Sequence, residues 1–258
     1  MIAHNTAVTS DNRIHDDEVA RRFGFRGGLV PGVDVYAYMT RPMVEAWGTD
    51  WLESGSVAVR FLVPVYDGDP TRIEPAVLDA DTASVRVIDP AGTECAVATF
   101  IRHHLDPTPP ADGWATATRP DHRPPASPQA LAAYGEGGAF PTLHLVLTPD
   151  DAATYLDDAR EELAVYHDEG IAHPGWLLRR ANDALVAAVQ LGPWIHVGST
   201  VRHHGVIAVG ETVEVRARLV RWWEAGGHRF VNLDVAIVVD GGVRATVDHT
   251  AIYEPRSS

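Results

Sequence analysis

Within six residues near the amino terminus the chain gathers a hydroxyl, a carboxylate, an amide and an imidazole, in Ser10-Asp11-Asn12-Arg13-Ile14-His15. An imidazole with a carboxylate close by is equipment for moving protons, and a well-placed general acid or base contributes about 10²–10⁴ in rate. The same residues have a plainer use. Asp11 or Asn12 can form an Asx-turn ahead of a short helix, with His15-Asp16-Asp17-Glu18 as its polar first turn. Further along, Val30-Pro31-Gly32 leads into a helical stretch. Backbone N–H groups at a helix start suit an oxygen on which negative charge builds, a contribution of about 2.7–4 kcal/mol per donor in measured cases. Pro31-Gly32 serves equally well as a turn and helix start and nothing more.

Other chemistry-bearing residues are easier to set aside. The chain has 13 histidines, and His203-His204 with His196 and His249 invite a metal reading. They lack the close, regular spacing of a zinc site, and alternate strand residues point to opposite faces, so they read as satisfied or solvent-facing side chains and no metal is expected. No Gly-x-Ser-x-Gly elbow, P-loop or dinucleotide fingerprint occurs. The single cysteine, Cys95, lies in the strand-like run Glu94 to Ile101 and reads as a buried structural thiol.

The elements that would position these residues occur twice, at an offset of about 143 residues, as from Pro31-Gly32 to Pro174-Gly175. In each copy a polar helix ends at a Gly and Pro-Gly segment and a longer helical stretch follows. Val59-Arg60 through Gly68-Asp69 then matches Val201-Arg202 through Gly210-Glu211.

In the second copy Thr148-Pro149-Asp150-Asp151 is an N-cap with proline at the first helical position and acids where the helix dipole favours them. Ala152, Tyr155, Ala159, Leu163 and Tyr166 recur at helical spacing up to a C-cap at Gly170, so one helix is predicted there. A second runs from about Gly175 to Leu191. Apolar, β-branched runs follow near 194–208, 211–223, 228–239 and 243–253, with glycines at their junctions, the pattern of an antiparallel meander. The first copy repeats this with a helix over Val33 to Trp47, which Pro42 should kink or restart, and runs near 57–65, 71–79, 81–89 and 94–102. Helices followed by a block of strands, twice over, make the fold class α+β. Between the copies, eight of the 18 prolines fall from Pro107 to Pro141, a connector without hydrophobic period.

Ser10 to His15, followed by Ala20, Gly24-Phe25 and Leu29-Val30-Pro31-Gly32, resembles the signature of MaoC-like (R)-specific enoyl-CoA hydratases. The Val-Arg-Phe and Tyr-x-Gly-Asp motif at Val59 to Asp69 adds to the likeness, which covers about residues 5–70 closely and 140–253 more loosely. The resemblance implies a double hotdog, two tandem domains each with a central helix wrapped by an antiparallel sheet. Residues 1–105 would form the domain with the hydratase-like loop, 106–139 the linker, and 140–258 a degenerate second domain. It further implies hydration or dehydration of a 2-enoyl or 3-hydroxyacyl thioester of coenzyme A or an acyl carrier protein. His15 would be the general acid/base, Asp11 or Ser10 its partner, Asn12 a positioning group and Gly32 the oxyanion donor, with Pro31 and Val30 beside the substrate. The carrier belongs to the substrate, and no resident cofactor is implied.

Two positions depart from the signature. The family aspartate falls on Ser10, with Asp11 one residue later, and the motif proline is Arg13; a one-residue shift in an extended segment turns a side chain to the opposite face. The position equivalent to His15 in the second copy is Asp158. His173-Pro174-Gly175 weakly resembles the start of the central helix in polyketide synthase dehydratase domains, with a helix-capping histidine as the plainer reading.

Two other function classes fit the same fold. One is a hotdog thioesterase, with Asp16, Asp17 or Asp34 activating water; the other is an acyl-thioester-binding protein without turnover. Of 258 residues 45% are hydrophobic and 22% charged, ordinary values for a packed domain. The formal charge of −14 argues against nucleic-acid binding. No apolar run reaches the roughly 18 residues of a membrane span, and the start lacks signal-peptide blocks, so a cytoplasmic protein without a membrane partner is expected, as monomer or homodimer.

Overall fold

A computed structural model describes residues 1–7 and 10–256. A 3-10 turn at Arg13–His15 precedes α1 (Asp17–Arg22), α2 (Gly32–Trp47) and α3 (Thr49–Ser54), then β1 (Ser56–Phe61), β2 (Arg72–Val77), β3 (Thr82–Ile88) and β4 (Glu94–Ile101). After α4 (Pro128–Ala132) and β5 (Leu143–Val146), the second copy gives α5 (Pro149–Ala159), α6 (Ala164–Asp168) and α7 (Pro174–Ala188). Its strands are β6 (Ile195–His203), β7 (Thr212–Ala225), β8 (His228–Val239) and β9 (Gly242–Glu254). Among the described residues no helix is long and apolar enough to cross a membrane.

All the strands join one antiparallel sheet in the order β2-β3-β4-β1-β6-β9-β8-β7-β5. The two copies meet where β1 pairs with β6, with Val57 opposite Val201 and Arg60 opposite Gly198. Helices α2 and α7 lie side by side against the sheet, α2 on β2, β3, β4 and β6 and α7 on β7, β8 and β9. Their inner faces follow from spacing: Tyr36, Met39, Met43 and Leu178, Ala181, Leu185 recur three or four residues apart and are all buried. This is the expected α+β double hotdog.

Three local expectations are corrected. Pro42 does not interrupt α2, which runs unbroken through it; the ring removes one N–H, but Met39, Thr40, Met43 and Val44 are buried around it, and their packing outweighs the lost bond. The single helix predicted from Pro149 to Gly170 is two. Arg160 takes a left-handed conformation with φ 56°, and the Glu161 carboxylate accepts the N–H groups of Glu162 and Leu163, both at 2.8 Å, which draws them out of the helical ladder. β5, on the sheet edge against β7, has no counterpart in the runs read from sequence.

The Pro-rich stretch packs against the outer side of the sheet. Trp114 is buried on Ala236, Val238 and Val243 with the Arg218 guanidinium 5.3 Å over its ring, and Leu131 and Phe140 reach the main core. β8 is therefore covered on both faces, the reason Val235 to Val239 read as a continuous apolar run.

Candidate active site

His15 ends the 3-10 turn that Asn12 caps. Ile14 anchors this turn in a small apolar cluster with Ala20 and Leu29. Gly28 is required where the returning chain crosses the turn, because any side chain there would collide with the His15 carbonyl. The crossing brings the Leu29 carbonyl to 2.6 Å from His15 Nδ1. A carbonyl only accepts, so Nδ1 carries the proton and Nε2 presents its lone pair.

Asn12 meets that lone pair with Nδ2 at 3.2 Å. Its amide orientation is settled by the backbone. Oδ1 accepts the Trp194 N–H at 3.1 Å and the Ile14 N–H at 3.4 Å, and Nδ2 also donates to the Trp194 carbonyl at 3.0 Å. Asn12 thus ties the loop of the first copy to the start of β6 in the second. Burial lowers the His15 pKa below its ordinary value, partly countered by the Leu29 carbonyl and the charge of Asp34, so the ring is neutral at pH 7.

Ser10 and Asp11 are exposed. Ser10 Oγ accepts the Asn12 N–H at 3.1 Å, and among the described residues neither Ser10 nor Asp11 makes a hydrogen bond or ion pair with His15. Of the sequence-derived candidates, then, the structure brings together Asn12, His15, Pro31 and Gly32, with Val30 beside them, and leaves Ser10 and Asp11 at the rim.

Two cavities meet at this point. One, of about 240 Å³, is walled by apolar side chains including Phe25, Leu29, Val35, Phe61 and Val65, with Val30 and Gly32 in its lining. The other, of about 520 Å³, is the more polar of the two, with Ser10, Asp11, Arg123, Arg179 and Gln190 in its lining. Asn12, His15, Pro31, Asn182 and Trp194 line both. Pro31 caps α2, and among the described residues the Gly32 N–H has no partner. The arrangement offers a neutral base and a free helix-start donor at the junction of an apolar chamber and a polar vestibule.

The remaining carboxylates are committed elsewhere. Asp16 caps α1 through the Glu18 and Val19 N–H groups, and Asp17 accepts the Gly28 N–H at 2.8 Å. Asp34 is fully buried, bonded to Thr6 Oγ1 at 2.6 Å and to Arg179 of α7 at 2.9 Å. Desolvation is the larger influence on it, so its carboxyl stays above the ordinary value although Arg179 and Thr6 draw it down. Cys95 also lines the apolar cavity, its thiol pushed up to about 11, mainly by burial, and thus protonated at neutral pH.

In the second copy His173 caps α7, Nδ1 accepting the Gly175 N–H at 3.0 Å, and its Nε2 lies 3.5 Å from the buried Glu161. Sequence reading passed over Asn182, Trp194 and His196. Asn182 Oδ1 is buried without a partner, and His196 was grouped with histidines of no assigned role. No local motif marks any of the three, because each reaches the site from the other copy.

No family model matches the chain, and no curated protein matches it in sequence. Solved structures do. A MaoC-like dehydratase superposes with a TM-score of 0.62 at 16% identity, over 98% of this chain and 91% of that one. A conserved hypothetical protein from Mycobacterium tuberculosis, described as a double hotdog, gives 0.56 at 14% identity over 97% and 93%. The dehydratase domain of a mycocerosic acid synthase-like polyketide synthase gives 0.54 at 16% identity over 98% and 90%. At such identities the likeness is one of fold, and this chain has the double-hotdog fold shared by those structures.

Proposed function

We propose that the protein is a hydro-lyase acting on an acyl thioester, interconverting a 3-hydroxyacyl and a 2-enoyl thioester of coenzyme A or an acyl carrier protein. The observation that carries this reading is His15, neutral and lining both cavities, its Nε2 lone pair held by Asn12 Nδ2, together with the unpartnered N–H of Gly32, which lines the apolar cavity. The apolar cavity suits the acyl chain and the vestibule the carrier.

In dehydration substrate displaces the Asn12 Nδ2–H from His15 Nε2, which then takes the proton from C2, and the electron pair moves onto the thioester oxygen, where Gly32 N–H donates to it. The enolate then re-forms its carbonyl, C2=C3 forms, the C3–O bond breaks, and His15 returns the proton to the leaving hydroxide as water. One base balances both proton transfers. The Leu29 carbonyl on Nδ1 holds the ring in place throughout and Asn12 holds it until substrate arrives; Ser10 and Asp11 face the vestibule, the side from which water comes and goes. The thioesterase alternative has less support, since Asp16, Asp17 and Asp34 are each held by hydrogen bonds or an ion pair.

The test is turnover of a panel of 2-enoyl-CoA esters, followed as loss of the enoyl-thioester absorbance, with free thiol measured in parallel. Hydration is expected, with His15→Ala lowering kcat/KM by about 10² or more and Asp11→Asn costing at least about tenfold less than that. Thiol release from a saturated acyl-CoA would make it a thioesterase. Tight binding without turnover would make it a binding protein.

A further inference from the structure

The apolar cavity holds a second histidine that the reaction above leaves unused. His196, the second residue of β6, is 6% exposed, and its Nε2 lies 2.8 Å from Ser199 Oγ. Ser199 sits directly across from His249 in the β6–β9 pairing, and its Oγ is 3.0 Å from His249 Nδ1. Ser199 and His249 are also buried, so three polar groups form a row within an otherwise apolar layer. Such a row carries a desolvation cost that its internal hydrogen bonds only partly offset. At the near end, His196 Nδ1 is buried and has no partner.

That nitrogen faces the head of α2. An atom placed where a side chain would begin on Gly32 stands 3.1 Å from His196 Nδ1 and 3.1 Å from the Phe61 ring. His196 Nδ1 and the Phe61 ring therefore pack directly against Gly32, and the two unpartnered donors, Nδ1 and the Gly32 N–H, stand side by side at the head of α2. The second copy places an oxygen beside the matching glycine. At the equivalent Gly175 the Tyr155 hydroxyl oxygen already fills the space, close enough to overlap any added side-chain atom. In the second copy the protein supplies an oxygen at the head of the central helix; in the first the Phe61 ring and His196 take that side, and Gly32, Phe61 and His196 all line the cavity.

Resting on the hydro-lyase reading, we infer that His196 is a second donor to the thioester oxygen, its Nδ1–H completing with Gly32 N–H a two-donor cradle, and that Ser199 and His249 are positioning residues fixing its tautomer. A carbonyl oxygen only accepts, so its arrival selects one direction of the row: His249 Nδ1–H to Ser199 Oγ, Ser199 O–H to His196 Nε2, and His196 Nδ1–H to substrate. No proton is transferred and no charge moves. Burial holds both imidazoles neutral, the His196 pKa well below its ordinary value and that of His249 at about 3, so the cradle needs no buried cation.

The experiment pairs turnover with the absorption spectrum of bound cinnamoyl-CoA, whose band moves to longer wavelength when its carbonyl is polarised. Wild type is expected to show the shift, and His15→Ala to keep it while losing turnover. His196→Phe should bind the probe within about threefold, lose most of the shift, and lower kcat by about 10²–10³ with KM near that of wild type. Ser199→Ala should fall between. If His196→Phe proves unfolded by circular dichroism, His196→Gln takes its place. A His196 variant that folds and keeps both the shift and kcat within threefold overturns the inference while leaving the hydro-lyase reading intact. A wild type that neither binds nor turns over any acyl-CoA ends both.

Discussion

His203→Leu should make the protein more resistant to acid, and the size of the effect follows from burial. His203 is 1% exposed, both ring nitrogens lack partners, and its edge packs on Trp51 at a centroid distance of 4.9 Å. Burial lowers its pKa from 6.5 to about 3, with the neighbouring His104 and His204 adding to the fall. The unfolded chain therefore binds a proton below pH 6.5 that the folded chain refuses until about pH 3, and stability declines as pH falls through that window. From pH 7.5 to 5.5 the cost is about 1.4 kcal/mol for this one histidine, one decade of proton linkage. His249, lowered to about 3, is held neutral the same way and brings the sum to about 2.7 kcal/mol, a large share of the 5–15 kcal/mol typical of a domain, and burial of His196 acts in the same sense. Asp34 and Asp183, whose carboxyls burial raises, act in the opposite sense, so the difference between variant and wild type is the sharper quantity. Urea unfolding at the two pH values measures it. His203→Leu should lose about 1.4 kcal/mol less than wild type, and an identical pH dependence in the two proteins would refute the argument.

Four further outcomes follow from the same geometry. On the hydro-lyase reading kcat/KM should be flat near pH 7 and fall on the acid side with a midpoint below 6.5, as the neutral His15 gains a proton; a midpoint at or above 6.5 would contradict its burial. Asn12→Ala removes the clamp on Trp194 and Ile14 and should cost about 2–3 kcal/mol at about 1 kcal/mol per bond, read by urea unfolding, with a loss under about 0.5 counting against the clamp. Asp34→Asn leaves Arg179 without its buried partner and should cost about 3–5 kcal/mol, most of which Asp34→Leu combined with Arg179→Met should recover. Gly175→Ala should destabilise by about 1–3 kcal/mol through collision with the Tyr155 hydroxyl and Ala37, and by measurably less in a Tyr155→Phe background.

Much of the fold is legible because its signals are local. The two-fold repeat, the N-cap at Thr148, the proline at the start of α7 and the glycines between strands each act within a few residues of where they stand. The misreadings have non-local causes. Leu163 and Tyr166 keep helical spacing with Tyr155, yet the chain breaks between them because a buried Glu161 carboxylate takes up N–H groups the ladder would use. Pro42 carries the strongest local signal against a helix, and the packing of Met39 and Met43 overrides it.

The candidate site divides along the same line. The loop from Ser10 to His15 and the head of α2 at Gly32 are contiguous segments, so the residues that could move a proton or hold an oxygen stand out by type and spacing alone. Which of them meet is a matter of contacts between residues far apart in the chain. Asn12 faces inward because Trp194, 182 positions away, offers both a donor and an acceptor, while Ser10 and Asp11 stay at the rim. His196 and His249 look like scattered histidines until β6 pairs with β9 and sets Ser199 between them. The elements and the chemical groups can be read from residue order alone, since caps, periodicity and residue types act over short range. Which groups share a cavity, and which ring nitrogen of His15 bears the proton, depends on partners that meet through packing of distant segments and the joined sheet.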